Sequence, residues 1–164
     1  MAPDEFDAFY SRSWPRLVGQ LYAMTGNLAD AQDVVQEAFV RAWDRREELS
    51  SAHAPEAWVR TVAWRLAVSR WRRARSTLMA WFRHGAPGDV REPGPEHAAL
   101  VAALRRIPEE QRRAVVLHYL CDLPVAEVAA ETGSPVGTVK VRLSRARATL
   151  ARHLSDDLLG ISAR

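Results

Sequence analysis

Asp122–Leu150, reading DLPVAEVAAETGSPVGTVKVRLSRARATL, decides the character of the C-terminal part of the chain. Pro124 suits the first position of a helix, where its missing N–H costs nothing. Val125, Val128 and Ala129 then repeat at the spacing of one buried helical stripe. Gly133 can take the left-handed conformation that ends such a helix, and Ser134-Pro135 offers an N-cap hydroxyl and a first-turn proline to the next. Two helices joined by about three residues make a helix-turn-helix. At roughly 100° per residue, Val139, Leu143, Ala146 and Leu150 of the second helix share one narrow arc that the domain core must cover. Lys140, Val141, Ser144, Arg145 and Ala148 lie opposite. Such a face suits the major groove, where Lys or Arg reads guanine and a methyl-bearing side chain packs on thymine. Arg142, Arg147 and Arg152 flank it and suit phosphates. From Thr132 to Ser155 there is no acidic side chain, so a merely solvated basic helix explains less than a nucleic-acid reader does.

The rest of the composition agrees with that reading. A chain of 164 residues with 48% hydrophobic content can bury one modest core or two small ones. Its net charge of +3 conceals segregation: seven arginines (Arg60, Arg65, Arg70, Arg72, Arg73, Arg75, Arg83) fall between Glu56 and Asp89 with no intervening acid. Asp30, Asp33, Glu37, Asp44, Glu47 and Glu48 crowd the stretch before them. Basic blocks beside an acidic helix imply one polyanionic partner and a different, protein partner. The single Cys121 excludes an internal disulfide and fits a reducing cytoplasm. No N-terminal signal pattern and no bilayer-spanning apolar run is present, so membrane insertion is not expected. His118 and Cys121 form an isolated His-x-x-Cys without the further ligands of a zinc site. No metal, cofactor or catalytic residue is expected, and the chain is not read as an enzyme.

Outside one linker the periodicity is helical, which predicts an all-α chain of two small helical domains, residues 1–75 and 96–160. Phe6, Phe9 and Tyr10 open the first helical segment and Leu17, Val18, Leu21 and Tyr22 continue it; Gly26-Asn27 breaks it and Asp30 begins another. Between residues 76 and 95 the pattern fails, and Gly85–Pro95 carries the glycines and prolines of a linker. About twenty residues span up to roughly 70 Å when extended, so the domains can reach DNA sites about two turns of roughly 34 Å apart.

Two helices of the first domain carry further signals. Ala31, Val34, Val35, Ala38, Phe39 and Ala42 form an apolar stripe, with Asp33, Gln36, Glu37 and Arg41 towards the other side, a polar face that is either solvated or a partner surface. From Pro55 to Arg75, Val59, Val62, Ala63, Leu66 and Ala67 are expected inward, and Thr61, Trp64, Arg65, Val68, Trp71, Arg72 and Arg75 outward. Tryptophans interleaved with arginines on a free face suit stacking of unpaired bases and gripping of the backbone. One of them, Trp71 for choice, could instead pack on Leu78–Phe82. Trp43 and Trp58 are expected in the core; Trp14 and Trp81 are left unassigned.

Three motifs, DAQDVVQEAFVRAW at Asp30–Trp43, PEAWVRTVAWRLAVSRWRR at Pro55–Arg73 and VAEVAAETGSPVGTVKVRLSRARATL at Val125–Leu150, resemble regions 2 and 4 of the extracytoplasmic-function (ECF) RNA polymerase sigma factors, group 4 of the sigma-70 family. The general outline is similar to a sigma-E-like actinobacterial subgroup. The resemblance implies a core-polymerase and −10 domain over 1–75, a linker over 76–95 and a −35 domain over 96–160. It implies that Asp33, Gln36, Glu37 and Arg41 dock on the β′ clamp helices of core RNA polymerase, with the β flap as a second polymerase contact. Ser50, Ser51 and His53 would line the pocket for a flipped −10 base, and Thr61, Trp64, Arg65, Val68, Trp71 and Arg72 would contact the melting strand. Thr138, Lys140, Val141, Arg142, Ser144 and Arg145 would read promoter DNA at −35. An anti-sigma factor is a further partner implied by the family.

The chain departs from the family at several of these positions. Arg65 stands where many members have asparagine, Ser69 where many have aspartate, and Val141 where serine is common, which bears on the promoter sequence and not on the class. No additional C-terminal domain is expected. A stand-alone helix-turn-helix regulator would account for the C-terminal motif, but it would leave the acidic helix and the tryptophan-arginine face without a role. The apolar stretch Leu78–Phe82 could pack on either domain or on a partner.

Overall fold

The computed structural model describes residues 1–76 and 94–162, and every element among them is a helix. The chain divides into two units between Glu92 and Pro93, inside the expected linker. Leu78–Phe82, with Trp81, lies outside the described residues.

The N-terminal unit contains α1 (Pro3–Thr25), α2 (Leu28–Asp44), the short α3 (Arg46–Ser50) and α4 (Pro55–Ser76). Gly26 ends α1 in the left-handed conformation (φ 75°, ψ 7°), its N–H donating to the Tyr22 carbonyl at 2.8 Å. Asn27 then caps α2, its side-chain oxygen accepting from the Asp30 N–H at 3.1 Å. The helix therefore starts two residues before Asp30, because the cap is the asparagine and Asp30 is its donor. All six stripe residues, Ala31, Val34, Val35, Ala38, Phe39 and Ala42, are buried. Phe39 meets Phe6, Phe9 and Tyr10 of α1 in edge-on or tilted ring contacts.

α4 packs against both α1 and α2, and this rotates its buried arc from the expected position. Val59 and Ala63 are fully buried, but so are Arg60 (4% exposed) and Trp64 (8%), whereas Val62, Leu66 and Ala67 are half-buried. Trp64 is thus corrected from an outward platform to a core residue. The cause is a polar seam with α1 that hydropathy does not reveal. Arg60 Nη1 donates to Gln20 Oε1 (3.2 Å), the fully buried Ser13 hydroxyl donates to Glu56 Oε1 (2.6 Å), and Arg16 pairs with the same carboxylate. With Arg60 drawn into this seam the buried arc turns towards residues 60 and 64, and Trp64 falls within it.

Trp43 is corrected in the opposite sense. It is 38% exposed, with Phe6 edge-on at 5.1 Å and the Arg46 guanidinium 4.5 Å from its ring centroid. A cation over one face lets the indole stand at the rim. Trp58 is half-buried, and Trp14 is half-buried with its ring tilted on Tyr10 at 5.4 Å.

A second tie joins α2 to α4. Arg70 donates to Glu37 at 3.0 Å and lies 3.9 Å from Asp33, while Arg41 bonds the other Glu37 oxygen at 2.7 Å. Desolvation alone would raise the Glu37 carboxyl; the hydrogen bonds and charges of Arg41 and Arg70 outweigh it and hold it below its ordinary value of 4.5.

The C-terminal unit contains α5 (Pro95–Leu104), α6 (Glu109–Val115, continuing as a π-helical turn over Val116–Leu120), α7 (Val125–Thr132) and α8 (Val136–Ser162). Val101, Leu104, Ile107, Leu117, Val128 and Val139 form its core. Pro124 precedes α7 with extended ψ (152°), so the helix begins one residue later than proline in its first position would place it. At the far end Gly133 takes φ 64°, the Ser134 N–H donates to the Ala129 carbonyl (3.0 Å), and the Gly133 N–H points to that of Ala130 (3.4 Å). This is a Schellman closure, and it needs a residue at ease with positive φ. The Ser134 hydroxyl, expected to cap α8, instead accepts from Arg142 Nη1 at 2.8 Å.

Nothing lies within 4 Å of a Cβ added at Gly133. Gly133→Ala should therefore cost about 1–2 kcal/mol from backbone strain alone, measured by urea unfolding. Asp122, a non-glycine residue at φ 54°, should show the opposite sign: Asp122→Gly gains stability, by under about 1 kcal/mol. Because the folded-state pKa of Glu37 is depressed, its contribution is fully present above about 4.5 and is lost as pH falls through the folded value. The stability difference between the wild type and Glu37→Gln should accordingly shrink on acidification below pH 4.5, and a pH-independent difference would contradict the tie.

Candidate nucleic-acid interface

The face of α8 is set by what it buries. Val139 and Ala146 have no exposed surface and Leu143 has 2%, whereas Leu150, expected with them, is half-buried near the end of the packed region. With those three fixed, Lys140, Val141 (48% exposed), Ser144, Arg145 and Ala148 stand in solvent and Thr138 is half-buried. An exposed valine amid cations suits contact with a thymine methyl. Arg142 is placed differently. One arm of its guanidinium meets Ser134 of the turn and the other meets Glu110 of α6 at 3.0 Å, leaving the side chain 21% exposed. Arg147 donates to the Tyr119 hydroxyl at 2.8 Å.

On α4, Arg65 and Arg72 are exposed, Thr61 and Val68 are half-buried, and Trp71 is 38% exposed at the margin. Thr61, Arg65, Val68 and Arg72 fall on the side opposite Val59 and Ala63 at 100° per residue. Trp71 falls in phase with Arg60 and Trp64, at the edge of that side and not within it. Ser50, Ser51 and His53 are all exposed, at the end of α3 and in the segment before α4. That segment is held at both ends, by Leu49 (4% exposed) and by Glu56 bonded to Ser13. The Ser51 hydroxyl donates to the Glu48 carbonyl at 2.9 Å, which fixes its direction.

On α2, Asp33 and Arg41 are exposed, and Gln36 accepts from the Tyr10 hydroxyl at 3.1 Å. Glu37 is shared between Arg41 and Arg70. Val40, 55% exposed, stands one turn from Gln36 and extends the face with an apolar centre. The sequence reading missed both Arg70 and Val40. Val40 breaks the stripe as an apolar residue out of phase, a signal that was available; the reach of Arg70 across to α2 was not.

His118 Nδ1 lies 2.8 Å from the Leu123 carbonyl, which can only accept, so this nitrogen carries the proton and the ring braces the turn before α7. Among the described residues no group of three or more His, Cys, Asp or Glu could hold a metal ion, and no helix is long and apolar enough to cross a membrane.

Comparison with known proteins agrees with this geometry. Residues 9–77 match the family described as Sigma-70 region 2 and residues 97–150 that described as Sigma-70, region 4. The ECF RNA polymerase sigma factor SigC of Mycobacterium tuberculosis is 32% identical over 149 residues, 87% of this chain and 80% of the relative. RpoE of Cereibacter sphaeroides, also an ECF RNA polymerase sigma factor, is 29% identical over 156 residues, 92% of this chain and 86% of the relative. Among solved structures, the sigma factor RpoE of Bartonella quintana, determined with the anti-sigma factor NepR, superposes with a TM-score of 0.76 at 23% identity over 92% of this chain and 97% of that one. SigJ of Mycobacterium tuberculosis superposes at 0.60 with 29% identity, over 93% of this chain and 56% of that one. With both sigma-70 regions matched in this order and a relative of this kind 32% identical over most of both chains, the chain belongs to the extracytoplasmic-function RNA polymerase sigma factors.

Proposed function

We propose that this sigma factor directs core RNA polymerase to promoters through two DNA contacts, one on each helical unit. The observation that carries the proposal is the outer face of α8, where buried Val139, Leu143 and Ala146 force Lys140, Val141, Ser144 and Arg145 outward. With Thr138 at the rim, these residues read the −35 duplex in the major groove. Arg65 and Arg72 grip the −10 strand, Thr61 and Val68 line the same face, and Trp71 stacks on a base at its margin. Ser50, Ser51 and His53 receive a flipped base, their hydrogen-bonding groups aimed by the tethered ends of the segment. Asp33, Gln36, Glu37 and Arg41 dock on the β′ clamp helices, with the β flap holding the C-terminal unit. The role is non-catalytic and cytoplasmic. A neighbour in fold is held by an anti-sigma factor, and the same kind of partner is proposed here as the negative regulator.

Reconstitution tests this directly. Core polymerase plus the purified chain, offered a library of random promoters, should yield transcripts sharing one −35 and one −10 sequence. Lys140→Ala or Arg145→Ala should each reduce −35 discrimination roughly tenfold or more, the worth of one good base contact. Arg65→Ala combined with Arg72→Ala should slow opening of duplex promoters and be relieved on a pre-melted −10 template. A folded chain that selects no promoter, while binding duplex DNA tightly without polymerase, would replace this reading with a stand-alone regulator.

A further inference from the structure

The surroundings of Arg142 carry one more inference, which rests on the −35 reading of α8. Position 142 lies on the edge of the outer face, where a free guanidinium would reach a phosphate. The structure commits it inward instead: Nη1 donates to Ser134 Oγ at 2.8 Å and Nη2 to Glu110 Oε2 at 3.0 Å. The three residues come from the turn, from α8 and from α6, so the arginine fastens the reading helix to both of its neighbours. Glu110 is itself 75% exposed, at the lip of a cleft that Thr138, Val141 and Arg145 also line.

A carboxylate at the margin of a DNA-reading face opposes polyanion binding, and an exposed ion pair of this kind contributes only about 0–1 kcal/mol to folding. Stability alone is a weak reason for its presence. Its effect on the DNA contact is larger. Each uncommitted cation at such a surface strengthens binding to any sequence by releasing counterions, and it carries no base information. We propose that Glu110 is a specificity-determining residue, which holds Arg142 against the turn and keeps a non-discriminating cation off the DNA. Lys140 and Arg145 then remain the cations on the reading face, and a larger share of the binding energy depends on the bases they meet.

The test uses holoenzyme assembled from core polymerase and the full chain, on a selected promoter and on the same fragment with its −35 element scrambled. Glu110→Gln keeps size and an acceptor but removes the charge. It should strengthen binding to the scrambled fragment roughly two- to fivefold near 0.1 M salt and steepen the slope of log K against log salt by up to roughly 0.9, with less gain on the selected promoter. Adding Arg142→Gln to Glu110→Gln should return slope and discrimination towards the wild type. The proposal is overturned if Glu110→Gln weakens both fragments equally, or if its effect persists undiminished in the Arg142→Gln background, since the carboxylate would then act by bulk charge. Loss of discrimination is also read in Lys140→Ala: if that variant keeps full −35 preference, the −35 reading fails, whatever Glu110 does.

Discussion

What α8 shows to solvent is settled by helix phase. A side chain advances 100° per residue, so pinning Val139, Leu143 and Ala146 in the core of the C-terminal unit leaves Lys140, Val141, Ser144 and Arg145 no direction but outward. The Schellman closure at Gly133 sets where α8 begins, and Arg142 locks it to Ser134 and Glu110. The reading face is thus a consequence of burial and of one glycine turn. Few strong contacts have to be made by the exposed residues themselves, which leaves them open to a partner.

α4 obeys the same constraint with a different outcome. Seated against α1 and α2, it buries Arg60 and Trp64 with Val59 and Ala63, and the opposite side leaves Arg65 and Arg72 exposed. The polar seam of Ser13, Arg16 and Gln20 with Glu56 and Arg60 fixes both the phase of α4 and the exit of the segment before it. A flipped base costs a few kcal/mol to unstack, and stacking on an aromatic side chain contributes about 1–3 kcal/mol. In the proposed −10 contact, stacking on Trp71 is therefore of the right size to offset one captured base. Glu37, held by Arg70 from α4 and by Arg41, ties α4 to the acidic side of α2.

Much of this was legible in the residues. The helix-turn-helix, the six-residue stripe of α2 and the outward set on α8 follow from period, glycine and charge, because the residues those helices bury are the apolar ones of a single stripe. The failures share a cause. Hydropathy on a wheel turns Trp64 outward, but α4 carries a buried arginine that shifts its arc, and Arg46 covers the half-open Trp43 ring where no period would reveal it. Ser134 was read as a helix cap, and its hydroxyl was taken by an arginine eight residues on. Polar side chains that reach across the fold change the phase of a helix or the use of a turn, and a local pattern cannot register them.

Site-specific photocrosslinking of the holoenzyme to promoter DNA tests the phase argument most directly. With a crosslinker placed in turn at Val141, Ser144, Arg65 and Arg72, the first two positions should attach to the −35 duplex and the last two to the −10 non-template strand, while Leu154 attaches to neither element. Crosslinks to the −35 element arising from Leu154 in place of Val141 and Ser144 would mean that α8 meets DNA with another face, and would contradict the account.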